Sequence, residues 1–283
     1  MQNFKIYAFA DEAGPMIDDQ IVAMKRNGLN GLEIRGVDNV NISDISEAKA
    51  KEVISKIENA GLSVWSIGSP IGKIDIEKDD FDAHIEKFKH TLEIANILKA
   101  KNMRIFSFFM PKDKPYENYR NEVIDRLGVL CELSKGSGVD LCHENEKGIY
   151  GDTAVRCNEI LTALPQLKGV FDPANFIQCG EDTLAAWELL KDKIHYLHIK
   201  DALESGDVVP AGCGIGNIPV ILKDYVSRGG SAATLEPHLA VFSGLNDLER
   251  EGEKSQVGAY HYPDNNTAFD AACKAFSDIL KEI

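Results

Sequence analysis

The chain is short of positive charge: 31 Lys and Arg stand against 45 Asp and Glu, a formal net charge of -14 at pH 7. Phosphate backbones are gripped mainly by Lys and Arg, so this deficit, with no basic patch or tail to offset it, argues against nucleic acid as a partner. Cysteine is present but not in pairs. The six thiols Cys131, Cys142, Cys157, Cys179, Cys213 and Cys273 make no C-x-x-C and no closely spaced Cys/His set, which argues against a structural zinc module and leaves buried reduced thiols as the expectation. Long apolar runs are missing too. The opening "MQNFKIYAFADEAG" is interrupted by Lys5 and ends in Asp11 and Glu12, so it reads as neither a secretory leader nor a membrane span, and a cytoplasmic location is expected. No Pro/Ser-rich linker and no shift of composition divides the chain, so one domain over residues 1–283 is expected.

What is present is a repeated alternation. Eight short apolar runs occur at 4–10, 31–34, 62–67, 103–109, 139–144, 168–172, 194–200 and 232–236, and amphipathic segments separate most of them. The clearest lies at about 80–100, where Phe81, Ile85, Phe88, Leu92 and Ala95 recur at three- and four-residue steps and predict a helix with one buried face. Another spans "SDISEAKAKEVISKIENAGL", with Ser43 as the candidate N-cap and Gly61 as the stop. "TAFDAACKAFSDILKEI" reads as a closing helix. Strands alternating with helices imply parallel strands joined by right-handed crossovers, and eight such units fit a single (β/α)8 barrel better than an open sheet. The irregular tract at 237–266 is long enough for a lid or a homo-oligomer arm.

Barrels of this kind carry their chemistry at the C-terminal ends of the strands. There the fifth run presents Glu144, the sixth Asp172, the seventh His198 and Lys200, and the eighth Glu236. Period-two alternation permits all of them to point inward: His198 and Lys200 share a face with Tyr196, and Glu236 shares one with Thr234. Singly, each has a plainer reading, since Asp172 before Pro173 suits a turn, His198 a satisfied core histidine, and Glu236 an ion pair with Lys200. Together, two Glu, one Asp and one His make a mixed oxygen and nitrogen set suited to one divalent ion such as Mn2+, Mg2+, Co2+ or Zn2+.

The ordered series "HENEKGIYGD", "FDPANF", "HIKD" and "LEPHL" resembles the xylose isomerase-like TIM barrel superfamily, and more closely its sugar phosphate isomerase/epimerase branch, over nearly the whole chain. The resemblance implies a divalent ion held by Glu144, Asp172, His198 and Glu236, with the two glutamates also serving as acid/base groups. It implies carbohydrate metabolism, a small sugar or sugar-derived substrate, and isomerisation or epimerisation through an enediolate. Several relatives carry His two residues after the first Glu and three after the Asp; here those places hold Glu146 and Asn175, which bears on the identity of the sugar.

Other residues near the strand ends are candidates for substrate binding. Lys200 suits a hydroxyl, carboxylate or phosphate, with Asp201 to orient it, or else a rim salt bridge. His238 follows Glu236 by two residues and can reach the substrate, whereas His143, adjacent to Glu144, faces the other way. Arg35 suits bidentate anion binding, although a pairing with Glu33 is the plainer account. The loop after the third run offers Ser69 and Lys73. The glycine-rich "AGCGIGNIP" suits either a sharp turn or a phosphate at a helix N-terminus, and it lacks the G-x-G-x-x-G spacing of a dinucleotide site. Three rival readings stand beside the isomerase or epimerase: a keto-inositol dehydratase-type lyase, a non-catalytic sugar-binding barrel, and a phosphodiesterase of the endonuclease IV kind. The last needs more histidine ligands than seven His, two of them on the third helix, supply.

Overall fold

The computed structural model describes residues 4–243, 245, 257 and 259–283. Eight parallel strands close into a barrel: β1 (Lys5–Ala8), β2 (Gly31–Ile34), β3 (Ser63–Gly68), β4 (Asn102–Ile105), β5 (Asp140–Glu144), β6 (Lys168–Phe171), β7 (Ile194–Ile199) and β8 (Ala232–Leu235). Each strand pairs with its neighbours in sequence, and β1 closes the ring against β8 with Lys5 opposite Ala232 and Ala8 opposite Leu235. Helices α1 (Ile17–Arg26), α2 (Glu47–Asn59), α3 (Phe81–Ile97), α4 (Arg120–Ser134), α5 (Ala154–Ala163), α6 (Pro173–Gln178), α7 (Thr183–Leu190), α8 (Ile218–Ser227) and α9 (Asn265–Lys281) connect and surround them. Among the described residues no helix is long and apolar enough to cross a membrane.

Burial follows the strand pleat. Leu32, Ile34, Met103, Ile105, Leu141, Leu197, Ile199, Ala233 and Leu235 belong to the apolar layer shared with the helices, where each buried aliphatic side chain contributes about 1.5–3 kcal/mol. Inside the barrel, a smaller cluster of Tyr7, Cys142, Val170, Tyr196 and Ala232 packs with Trp65, and the Tyr7 and Trp65 rings stack at 4.9 Å. One pleat further along β7 and β8 the inward residues become His198 and Thr234. An apolar plug therefore fills the lower barrel, and polar groups gather at the C-terminal end.

Two local expectations change. Ser43 lies in a short 3-10 turn, Ile42–Asp44, whereas Ser46 caps α2 by accepting from Lys49 N. Ser46 stands one residue before Glu47, where the first unpaired helix N–H groups lie. The fourth run also leaves the sheet early, at Ile105; Phe108 has φ +66°, and the N–H groups of Phe106, Phe108 and Phe109 donate to Ile71, Gly72 and Ile74 O at 2.8, 2.9 and 2.8 Å, so 106–109 pair with the loop after β3 instead of extending β4.

Candidate metal and acid/base site

Glu144 ends β5, Asp172 follows β6, His198 lies near the end of β7 and Glu236 follows β8. Each can offer a ligand atom within 4.8 Å of the others, and all four side chains are buried. Three carboxylates and one imidazole nitrogen are a donor set that fits a divalent ion, which would neutralise carboxylates that water does not reach.

The orientation of His198 matches that use. Its Nε2 lies 3.0 Å from Glu33 Oε2, while its Nδ1 lies 2.7 Å from Glu144 Oε1 and 3.5 Å from Glu236 Oε2. Glu33 also accepts from Tyr196 Oη at 2.8 Å and Ser66 Oγ at 3.1 Å. A carboxylate with these donors favours keeping the proton on Nε2, so Nδ1 is the nitrogen that would ligate a metal, on giving up its own proton. Burial opposes a charged imidazole, but Glu144 and Glu33 outweigh it and hold the His198 pKa well above the ordinary histidine value.

Asp172 is held from its backbone. Its N–H donates to Asn145 Oδ1 and its carbonyl accepts from Asn145 Nδ2, both at 2.9 Å, while Asn175 Nδ2 donates to Asn145 O at 2.9 Å. Oδ1 of Asp172 caps α6 by accepting from Asn175 N at 2.9 Å, with Pro173 at the first helical position. Its other oxygen lies 2.9 Å from Lys200 Nζ. Burial pushes the Asp172 carboxyl up to about 7, against the pull of Lys200.

The two glutamates sit in different company. Glu144 Oε2 accepts from Arg104 Nη1 at 3.1 Å; burial raises its pKa, but His198 and Arg104 prevail and lower it. Glu236 Oε2 meets Lys200 Nζ at 3.0 Å, and its Oε1 meets Arg35 Nη1 at 3.3 Å and His238 Nε2 at 3.5 Å. Burial is again outweighed, by Lys200 and His238, so Glu236 is held well below the usual carboxylate range.

A second group of ligand-type residues, Glu12, Glu236 and His238, also lies within 4.8 Å. Here the positive charge is already in place. The Arg35 guanidinium makes a bidentate pair with Asp11 at 2.9 and 3.0 Å and reaches Glu12 at 3.1 Å, so these acids share one fixed cation. Burial pushes the Glu12 carboxyl up to about 8 despite Arg35. Glu12 Oε2 also accepts the His238 N–H at 2.6 Å, and His238 takes φ +44° with its ring against Phe242.

The remaining expectations divide. Arg35 pairs with Asp11, Glu12 and Glu236 and not with Glu33, because the loop after β1 brings both acids to its guanidinium while Glu33 turns to His198 and Tyr196. Lys73 and Glu146 pair with each other at 3.0 Å at the mouth. Asn175 is engaged with Asn145 and Asp172. Asp201 turns away from Lys200: its carboxylate accepts from Gly212 N, Gly214 N and Gly216 N at 2.9, 3.0 and 2.8 Å. His143 faces the helix layer, with Nε2 2.9 Å from Ser107 Oγ, and burial holds its pKa at about 4. Ser69 donates to Arg104 O at 2.5 Å. Glu33, Arg104, Asp11, Glu12 and Asn145 stand outside the substrate and ligand candidates drawn from sequence. Arg104 was detectable, since it alternates inward with Asn102 at the end of the fourth run. Part of the irregular tract at 237–266 lies outside the described residues; His238, Leu239, Phe242 and Leu245 within it are buried.

The profile of the xylose isomerase-like TIM barrel family matches residues 21–229. A 3-dehydroshikimate dehydratase of Bacillus anthracis is 23% identical over 178 residues, a match that covers 62% of this chain and 62% of that relative. The chain thus spans less than two thirds of the length of the curated relative it matches. Among solved structures, L-ribulose 3-epimerase superposes with a TM-score of 0.74 at 18% identity, over 100% of this chain and 95% of that one. The IolI protein with a bound zinc atom superposes with a TM-score of 0.74 at 17% identity, over 98% of each chain.

Proposed function

The chain belongs to the xylose isomerase-like TIM barrel family, and from that premise we propose that it is a divalent-metal-dependent isomerase or epimerase of a small sugar, working by proton abstraction next to a carbonyl. The observation that carries this is the buried convergence of Glu144, Asp172, His198 and Glu236 at one end of the barrel. Mn2+, Mg2+, Co2+ and Zn2+ all suit these donors. When bound, such an ion supplies the positive charge that stabilises negative charge developing on the sugar's oxygens.

The chain's own groups do the rest. Glu144 and Glu236 approach the centre from β5 and β8, so one takes the proton from carbon and the other returns it, to the opposite face in an epimerisation or to the neighbouring carbon in an isomerisation. His198 and Arg104 keep Glu144 ionised and Lys200 keeps Glu236 ionised, so either can take the first proton, and its partner must enter the step protonated to return one. Lys200, Arg35 and His238 border Glu236 and bind the sugar's oxygens; Lys73 and Glu146 line the mouth. Asn175 and Asp201 serve by positioning the loops that carry Asp172 and Lys200.

A dehydratase on the same site is the second reading, favoured by the 3-dehydroshikimate dehydratase among the relatives. It begins with the same proton abstraction and then expels a hydroxyl group. Incubating chelated and metal-supplied protein with ketoses, keto-inositols and 3-dehydroshikimate in D2O, with NMR detection, separates these outcomes. Deuterium at the carbon beside the carbonyl, with an isomer or epimer formed, supports the first reading; loss of water supports the second. No metal-dependent exchange on any of them counts against both.

A further inference from the structure

We propose that the substrate of this site is uncharged, a polyhydroxy ketone or its aldose counterpart that carries neither phosphate nor carboxylate. The inference rests on the α-proton reading above and narrows its substrate class.

An anion bound in a dry site needs positive charge that the protein has not already matched. The buried cations around this mouth are matched. Arg35 faces Asp11, Glu12 and Glu236. Lys200 lies 2.9 Å from Asp172 and 3.0 Å from Glu236, Arg104 lies 3.1 Å from Glu144, and Lys73 lies 3.0 Å from Glu146. A divalent ion would bring the fixed positive charges to six, with Arg35, Arg104, Lys200 and Lys73, and seven carboxylates stand among them: Asp11, Glu12, Glu33, Glu144, Glu146, Asp172 and Glu236. Lys147 is exposed, so water and salt screen it.

The place where a phosphate commonly rests in barrels, the glycine loop after the seventh strand, is filled by the chain itself. Three backbone N–H groups from Gly212, Gly214 and Gly216 converge on the Asp201 carboxylate, which also takes Ala202 N at 2.9 Å. A phosphate would have to displace a carboxylate that is only 1% exposed. Asp201 is the anion for which this nest is built.

Among the described residues, two buried donors near the acid/base glutamates have no hydrogen-bond partner: Arg104 Nε, whose Nη1 meets Glu144, and Thr234 Oγ1, two residues before Glu236 and opposite His198. A single donor position suits a hydroxyl or carbonyl oxygen, whereas a carboxylate or phosphate calls for a fork of donors with surplus charge. Both donors therefore fit the oxygens of a neutral sugar.

The test uses matched pairs on the Mn2+-loaded protein: D-fructose against D-fructose 6-phosphate, and 2-keto-myo-inositol against 3-dehydroshikimate. Affinity is read by calorimetric titration, which needs no turnover. The neutral member of a pair is expected to bind at least about tenfold tighter. Equal or tighter binding of the charged member overturns the inference. Glu146→Gln, which leaves Lys73 with one carboxylate fewer, is expected to improve binding of the charged members by about tenfold; a variant with no gain contradicts the charge matching, even if none of the four compounds binds the wild type. Neutral binding without deuterium exchange would instead count against the α-proton chemistry, so the two failures are distinguishable.

Discussion

Glu33 Oε2 lies 3.0 Å from His198 Nε2 and so turns the opposite ring nitrogen toward Glu144 and Glu236. A carboxylate behind a ligating imidazole sets its tautomer and raises its basicity, and losing one typically lowers metal affinity 10–100-fold. Glu33→Gln is therefore expected to weaken Mn2+ or Zn2+ binding by about that factor while the barrel stays folded, as measured by titration with circular dichroism as the control. Unchanged affinity would mean that His198 is not held for a metal by this contact.

His84 provides a pH test away from the centre. It lies on α3, accepts Gly72 N–H through Nε2 at 2.8 Å, and burial followed by Lys87 holds its pKa at about 4. Its folded pKa is below the ordinary value of 6.5, so the neutral ring is favoured by folding. The contribution is full above pH 6.5 and is lost as pH falls toward 4, on the order of 3 kcal/mol at most. Urea unfolding at pH 7.5 and pH 4.5 should show the stability gap between wild type and His84→Gln narrowing in acid. A gap that is constant or wider in acid would contradict this.

Two glycines should respond in opposite directions. A Cβ on Gly214 would overlap Ala202 O and the Asp201 carboxylate, so Gly214→Ala is expected to cost on the order of 1–3 kcal/mol. Gly128 lies within α4, and a Cβ there meets only Leu164 Cδ2, at 3.8 Å. Gly128→Ala should therefore add about 0.5–1 kcal/mol through helix propensity. Thermal or urea unfolding of both variants checks the pair, and equal effects would contradict the close approach assigned to the nest.

The barrel was legible because its signal is local. Apolar runs with period two mark β1 to β8 within a few residues, and the same alternation placed Glu144, Asp172, His198 and Glu236 on the inner face. What could not be read was pairing across the barrel. Glu33 and Arg35 are two residues apart and seemed natural partners, yet one meets His198 on β7 and the other meets Asp11 and Glu12 after β1. Sequence distance carries no information about which inward side chains share a layer once the ring has closed. The Gly212–Gly216 tract showed the same limit: its glycines suited a sharp turn or a phosphate, and only the fold reveals that the turn wraps Asp201.

The most direct measurement of the central claim is exchange of the proton beside the carbonyl with D2O, for wild type, Glu144→Gln and Glu236→Gln, each supplied with the same divalent ion and the best neutral ketose. The expected result is metal-dependent exchange in the wild type and its loss by at least about a hundredfold in both variants, with the fold retained. Exchange that persists at wild-type rates in both variants would contradict the assignment of these two glutamates as the acid and base.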